Sequence, residues 1–128
     1  MDGTQPKDQR MARIAELTTA KDNGFFSRTI VNRIWALLYG RGLVEPLDMI
    51  EHKAWNPELL DTLAQDFVNN GYDLKKLMRQ IMTSRSYQWP SVRVAEIRDK
   101  DYHFDGPEVR RLTGEEFYDT LSRLTGVW

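Results

Sequence analysis

Apolar residues recur at helical spacing in five stretches of the chain, and glycine, proline and asparagine mark the breaks between them. The first stretch runs from about Asp8 to Thr19, with Met11, Ile14, Ala15 and Thr18 on one side, and Lys21-Asp22-Asn23-Gly24 ends it. The second, about Phe25 to Tyr39, has the strongest period. At about 100° per residue, Phe26, Ile30, Val31, Ile34, Trp35, Leu37 and Leu38 fill one half of its wheel. Arg28, Asn32 and Tyr39 fall on the opposite stripe, with Arg33 on the other border. An apolar arc that wide predicts a central helix touching several neighbours. Gly40 and Gly42 follow, residue types suited to a backbone that leaves a helix at positive φ.

The third helix is announced by Asn56, which can cap, by Pro57 at the first helical position, and by Glu58 beside the positive helix end. Leu59, Leu60, Leu63, Ala64, Phe67 and Val68 form its inward face, and Asp61, Gln65, Asp66 and Asn69 face water. Asn70-Gly71 stops it. Asp73 caps a fourth helix with Leu74, Leu77, Met78 and Ile81 inward and Lys75, Lys76 and Arg79 outward. Residues 84–111 contain Pro90, Gly106 and Pro107, with a brief alternation at Val92 and Val94. They read as a long ordered loop holding at most one short strand. Thr113 and Glu116 form a capping box that opens a last helix through Phe117, Leu121 and Leu124. The predicted fold is all-α: about five helices in a compact orthogonal or antiparallel bundle with one long ordered loop.

Length and composition narrow this picture. The 128 residues suit a single helical domain, and 11% aromatic content spread along the chain excludes disorder. No run approaches the roughly 20 apolar residues of a membrane span. Met1 to Gln9 is polar, so no signal peptide is expected in these residues. The chain closes on Val127 and Trp128, which leads us to expect a segment excised from a larger multidomain protein. Zero cysteines exclude disulfides, thiolate metal sites and covalent haem attachment within this stretch. A net charge of -1 gives no global attraction to nucleic acid or anionic lipid.

Few residues carry recognisable chemistry. Only His52 and His103 are available as imidazole ligands, in separate segments. Asp101, His103, Asp105 and Gly106 match the start of a calcium loop, but Leu112 stands where the closing acid belongs, so no metal is expected. No serine lies in a nucleophile elbow, and Gly40-Arg41-Gly42 follows a helix rather than opening one, the wrong context for a phosphate loop. Glu115, Glu116 and Asp119 share the last helix, where cap and dipole roles account for them. The third and fourth helices, joined by a tight turn with a basic outer face, have a helix-turn-helix outline. The slightly acidic chain argues against nucleic-acid binding.

Six polar residues are harder to place: Arg28, Asn32 and Arg33 on the second helix, and Ser84, Arg85 and Tyr87 just past the fourth. A guanidinium beside an apolar face must be paired or reach water. One reading has Asn32 and Arg33 bonding loop carbonyls and tying the loop to the helix. The other makes the six a ligand site for an anionic group, such as an acidic sugar or a haem propionate.

Several motifs carry a family resemblance: Asp22-Asn23-Gly24-Phe25-Phe26-Ser27-Arg28, Val31-Asn32-Arg33-Ile34-Trp35, and Tyr39-Gly40-Arg41-Gly42-Leu43-Val44. Further along come Asn56-Pro57-Glu58-Leu59-Leu60-Asp61, Asp73-Leu74-Lys75-Lys76-Leu77, Thr83-Ser84-Arg85-Ser86-Tyr87, Arg110-Arg111-Leu112-Thr113 and Glu116-Phe117-Tyr118-Asp119. In this order, over about Arg10 to Trp128, the chain resembles the domain of unknown function 1553 family. That family occurs in large proteins of planctomycetes, verrucomicrobia and some bacteroidetes. The resemblance implies an exported protein, periplasmic, secreted or on the cell surface, whose other domains are this module's partners. It also implies that any haem belongs to a neighbouring cytochrome c-like domain, with no cofactor in this segment. The family has no assigned catalytic residues to carry over. The chain departs from the family pattern at Asp48 to Trp55, where a Ser-His-Pro before the Glu-Leu-Leu is replaced by Ala54-Trp55-Asn56-Pro57.

Overall fold

Local side chains start and stop the helices. A computed structural model describes residues 6–93, 102–109 and 111–127. Its helices are α1 (Lys7–Thr18), α2 (Gly24–Tyr39), α3 (Pro57–Asn69), α4 (Leu74–Met82) and α5 (Gly114–Thr125). The otherwise unpaired N–H groups of four helix starts meet cap side chains. Asn23 Oδ1 accepts from the Phe26 amide at 3.4 Å, Asn56 Oδ1 from Leu59 at 3.1 Å and Asp73 Oδ1 from Lys76 at 3.1 Å. At α5 the capping box closes both ways: the Glu116 amide donates to Thr113 Oγ1 at 3.2 Å and the Thr113 amide to Glu116 Oε2 at 2.9 Å. Gly40, at φ 84°, ends α2 in the left-handed region that a glycine enters without strain. Gly42 has a different reason to be glycine. A Cβ there would stand 2.5 Å from the Val44 carbonyl oxygen and 2.6 Å from Leu47 Cδ2.

The architecture is all-α, with no strand among the described residues. The alternation near Val92 becomes one isolated parallel bridge to Glu108, and Val94 lies outside the described residues. In that bridge the Val92 amide donates to Pro107 O at 2.9 Å and the Val109 amide to Val92 O at 2.8 Å. The Glu108 amide then donates to Tyr39 O at 2.7 Å, which docks this part of the loop on the end of α2.

The core lies where α2, α3 and α4 meet. Leu60, Leu63, Ala64, Phe67 and Val68 of α3 and Leu77 and Ile81 of α4 are buried, on the faces that periodicity predicts. Two inward assignments need correction. Leu74 is exposed, because it opens α4 before the helix reaches the core. On α2 the buried stripe is rotated from the predicted arc. Asn32 and Tyr39, expected on the outer side, are 0% and 2% exposed, whereas Leu37 is 51% exposed. The physical reason is the connection between α2 and α3. It lays Leu43 and Val44, both buried, beside this flank, and Val44 supplies both partners for the Asn32 amide.

The outer helices are attached more lightly. No residue of α1 is buried, and Met11, Ile14 and Leu17 are exposed. Its end is tied by Tyr72 Oη donating to Thr19 O at 2.9 Å and Asn23 Nδ2 donating to Leu17 O at 3.0 Å. On α5 only Ser122 is buried. No helix is long and apolar enough to cross a membrane among the described residues.

Candidate functional site

A band of aromatic rings starts inside the core and ends at a cleft on the surface. Tyr39, at the last position of α2, is its hub. Its ring stacks on Trp35 at 4.0 Å and meets Tyr87 and Phe104 edge-on at 5.5 and 5.6 Å. The Tyr39 hydroxyl lies 2.7 Å from Ser86 Oγ, Ser86 Oγ lies 3.0 Å from Ser84 Oγ, and Ser84 Oγ donates to Ile81 O at 2.6 Å. Because the Ser84 proton is committed to that carbonyl, Ser84 Oγ is an acceptor toward the Ser86 and Tyr39 hydroxyls, which lie 3.0 and 3.2 Å away, and the three hydroxyls form a closed ring beside the end of α4. A buried phenol is thereby satisfied without water.

From Tyr39 the band continues through Phe104, which stacks on Trp55 at 5.7 Å and lies 6.0 Å from Trp89. Trp55 meets Tyr102 edge-on at 5.5 Å, and the Arg41 guanidinium sits 4.2 Å above the Tyr102 ring. Such a cation–π contact holds a flexible cation in place over a ring face.

Beside this end of the band opens a cleft of about 360 Å³, lined by Arg41, Gly42, Leu43, Glu45, Lys53, Ala54, Trp55 and Tyr102. Most of its wall comes from the connection between α2 and α3, with Tyr102 closing it from the long loop. The connection is pinned from within. The Gly42 amide donates to Glu45 Oε1 at 2.7 Å, and the Trp55 amide donates to Leu43 O at 3.0 Å. The Trp55 indole Nε1 is buried and has no hydrogen-bond partner among the described residues. Burial holds the Tyr102 phenol above its usual pKa, with further upward pushes from Glu108 and Asp105 that outweigh the opposing Arg41. At neutral pH it is therefore an O–H donor.

The six residues singled out in the sequence divide into separate environments. Asn32 is fully buried and bonded at both ends to Val44. Arg28 Nε stands 3.2 Å from Asp61 Oδ1, an ion pair between α2 and α3 without hydrogen-bond geometry. Arg33 reaches Asp48 Oδ1 at 2.7 Å on an exposed surface, a side-chain partner rather than a loop carbonyl. Ser84 and Tyr87 both join the surroundings of Tyr39, while Arg85 is exposed and has no side-chain partner among the described residues. None of the six lines the cleft. Exposed ion pairs contribute little because water screens them. Arg33→Ala and Arg85→Ala should each change the unfolding free energy by less than about 1 kcal/mol in urea denaturation. A loss of about 2 kcal/mol in either would show a buried role that this geometry lacks.

Periodicity passed over Arg41, Lys53, Trp55 and Tyr102 because none of them lies on a helix face. The signal was present in another form: aromatic residues Trp55, Trp89, Tyr102 and Phe104 concentrated in non-helical stretches, with cations between them. Asp101 of the calcium-like spacing lies outside the described residues. Among the described residues no three histidine or acidic side chains gather as a ligand set.

An all-α module with an aromatic-walled polar cleft is the class that fold and site define. The chain belongs to the family described as PSD1, protein of unknown function (DUF1553), which matches residues 10–128. No curated protein and no solved structure matches it.

Proposed function

We propose that this chain is a packing module, a helical scaffold that joins other domains of a larger exported bacterial protein. The observation that carries this reading is α5. Its start is closed by a full capping box and its end by Gly126 at φ 70°, so the helix is well specified locally. Yet Phe117, Leu121, Leu124 and Val127 are 56%, 44%, 79% and 70% exposed. A capped amphipathic helix that leaves three large apolar side chains in water, with Val127 exposed just past its cap, supports a surface that is covered when the whole protein is assembled. Met11, Ile14 and Leu17 of α1 repeat the pattern. The exported setting and the neighbouring domains follow from the family resemblance.

Replacing Leu121 and Leu124 together by serine tests the reading. In this chain alone the double variant should unfold within about 1 kcal/mol of wild type, because little burial is lost. It should also bind less of an apolar dye than wild type. A stability loss above about 3 kcal/mol would mean that α5 already packs within the module, and the scaffold reading would lose its support.

A further inference from the structure

We infer that the outer flank of α4 is a docking surface for an acidic amphipathic helix of a protein partner. The inference does not depend on the packing role of α5, since it rests on another face of the molecule.

Side chains four positions apart form the ridges of a helix surface, and each ridge of α4 has its own surroundings. Leu77 and Ile81 are buried where α4 meets α2 and α3. On the far side, Lys76 and Gln80 are already engaged with the end of α3. Gln80 Nε2 donates to Asp66 Oδ2 at 2.9 Å, and Lys76 Nζ to Asn70 Oδ1 at 3.5 Å. The two ridges between them are open. Leu74 and Met82 are exposed and Met78 is half-buried. Lys75 and Arg79 are exposed, with no side-chain partner among the described residues. Lys75 lies three positions before Met78, and Arg79 three before Met82. The apolar ridge and the cation row therefore run side by side.

The apolar ridge points to a helix. Leucine and methionine at every fourth position form a seam that seats in the groove of a second helix, and methionine adapts its shape to what it meets. At the rise of an α-helix the ridge from Leu74 to Met82 is about 12 Å long, so two to three turns of a partner cover it. The core contacts of Leu77 and Ile81 hold the ridge in place before anything docks.

The cation row sets the partner's charge. Lys75 stands in the first turn of α4, where a cation opposes the helix dipole, so helix stability does not account for it. A helix laid on the apolar ridge brings its own flank against Lys75 and Arg79. Acidic side chains there gain ion pairs, and basic ones are repelled. Arg85, exposed and unpartnered just past the helix end, adds to the same sign. Nucleic acid would meet these cations but leave the apolar ridge in water, and an anionic membrane takes up a broad apolar face rather than one row.

Fluorescence anisotropy of a labelled helical peptide titrated with the full chain tests the inference. The peptide carries leucine on one stripe and glutamate on both flanks. Two controls replace its glutamates by lysine or its leucines by alanine. The acidic leucine peptide should bind with Kd of about 100 μM or tighter, and each control at least about tenfold more weakly. Lys75→Glu with Arg79→Glu should weaken the acidic peptide at least about tenfold and favour the lysine peptide instead. Met82→Ser should weaken it about threefold or more. All three positions are exposed, and thermal melting shows that each variant is folded. Leu121→Ser with Leu124→Ser, on α5, should bind the peptide as wild type does. The inference is overturned if the acidic peptide fails to bind at about 1 mM, ten times that expected Kd. Equal binding of the leucine and alanine peptides, or binding unchanged in the Lys75/Arg79 variant, would overturn it too. So would tighter binding of phosphatidylglycerol vesicles or of duplex DNA than of the acidic peptide.

Discussion

Asn32→Ala is expected to lower the unfolding free energy by about 3 kcal/mol or more, seen as a shifted urea midpoint with the slope unchanged. The side chain is 0% exposed, its Nδ2 donates to Val44 O at 3.0 Å and its Oδ1 accepts from the Val44 amide at 2.9 Å. Val44 is equally buried, so alanine strands a backbone donor and a backbone acceptor where water does not reach. Each stranded group costs about 1–3 kcal/mol, and the missing amide leaves a void as well. Asn32→Asp is a sharper variant. It keeps the acceptor for the Val44 amide but sets a carboxylate against the Val44 carbonyl. Burial and that carbonyl both favour the protonated acid, so its folded pKa is raised above the unfolded value of about 4. The variant should be most stable below about pH 4 and lose stability as pH rises through the folded value, a dependence that wild type lacks at this position. A loss below about 1 kcal/mol for Asn32→Ala would show that Val44 finds other partners.

Tyr39→Ala should cost about 4 kcal/mol, whereas Tyr39→Phe should cost about 1 kcal/mol. Alanine removes the stack on Trp35 and the edge contacts to Tyr87 and Phe104 in one step. Phenylalanine removes only the hydroxyl. Ser86 then still reaches Ser84 at 3.0 Å, and Ser84 still donates to Ile81 O. The alanine variant should also loosen the segment that carries Phe104, which changes the environment of Trp55 and hence its fluorescence. Equal costs for the two substitutions would mean that the hydroxyl cluster, not the ring packing, holds this end of α2.

Helix boundaries were legible because capping is local. Asn56 with Pro57, Asp73, and Thr113 with Glu116 act on amides within the first turn of their own helices, so spacing alone reveals them. The inward faces of α3 and most of α4 were legible for the same kind of reason, since their apolar residues line up on one side. The face of α2 was not. Periodicity counts Asn32 and Tyr39 as polar, but polarity stops predicting exposure once partners arrive from afar. Val44 is 12 positions from Asn32, and Ser86 is 47 positions from Tyr39. The six polar residues stood out for their types, and type does not say which of them meet.

The residues by themselves determined that the chain is all-α, where its helices start and stop, and which family it belongs to. Those properties depend on contacts within a turn or two and on motif order. The tertiary structure decided which flank of α2 is core, which arginines pair with which aspartates, and that Arg41, Lys53, Trp55 and Tyr102 share one cleft. These depend on how irregular segments fold back on the helices. That path is set by the closing of long-range hydrogen bonds and ring contacts, and it leaves no period in the chain.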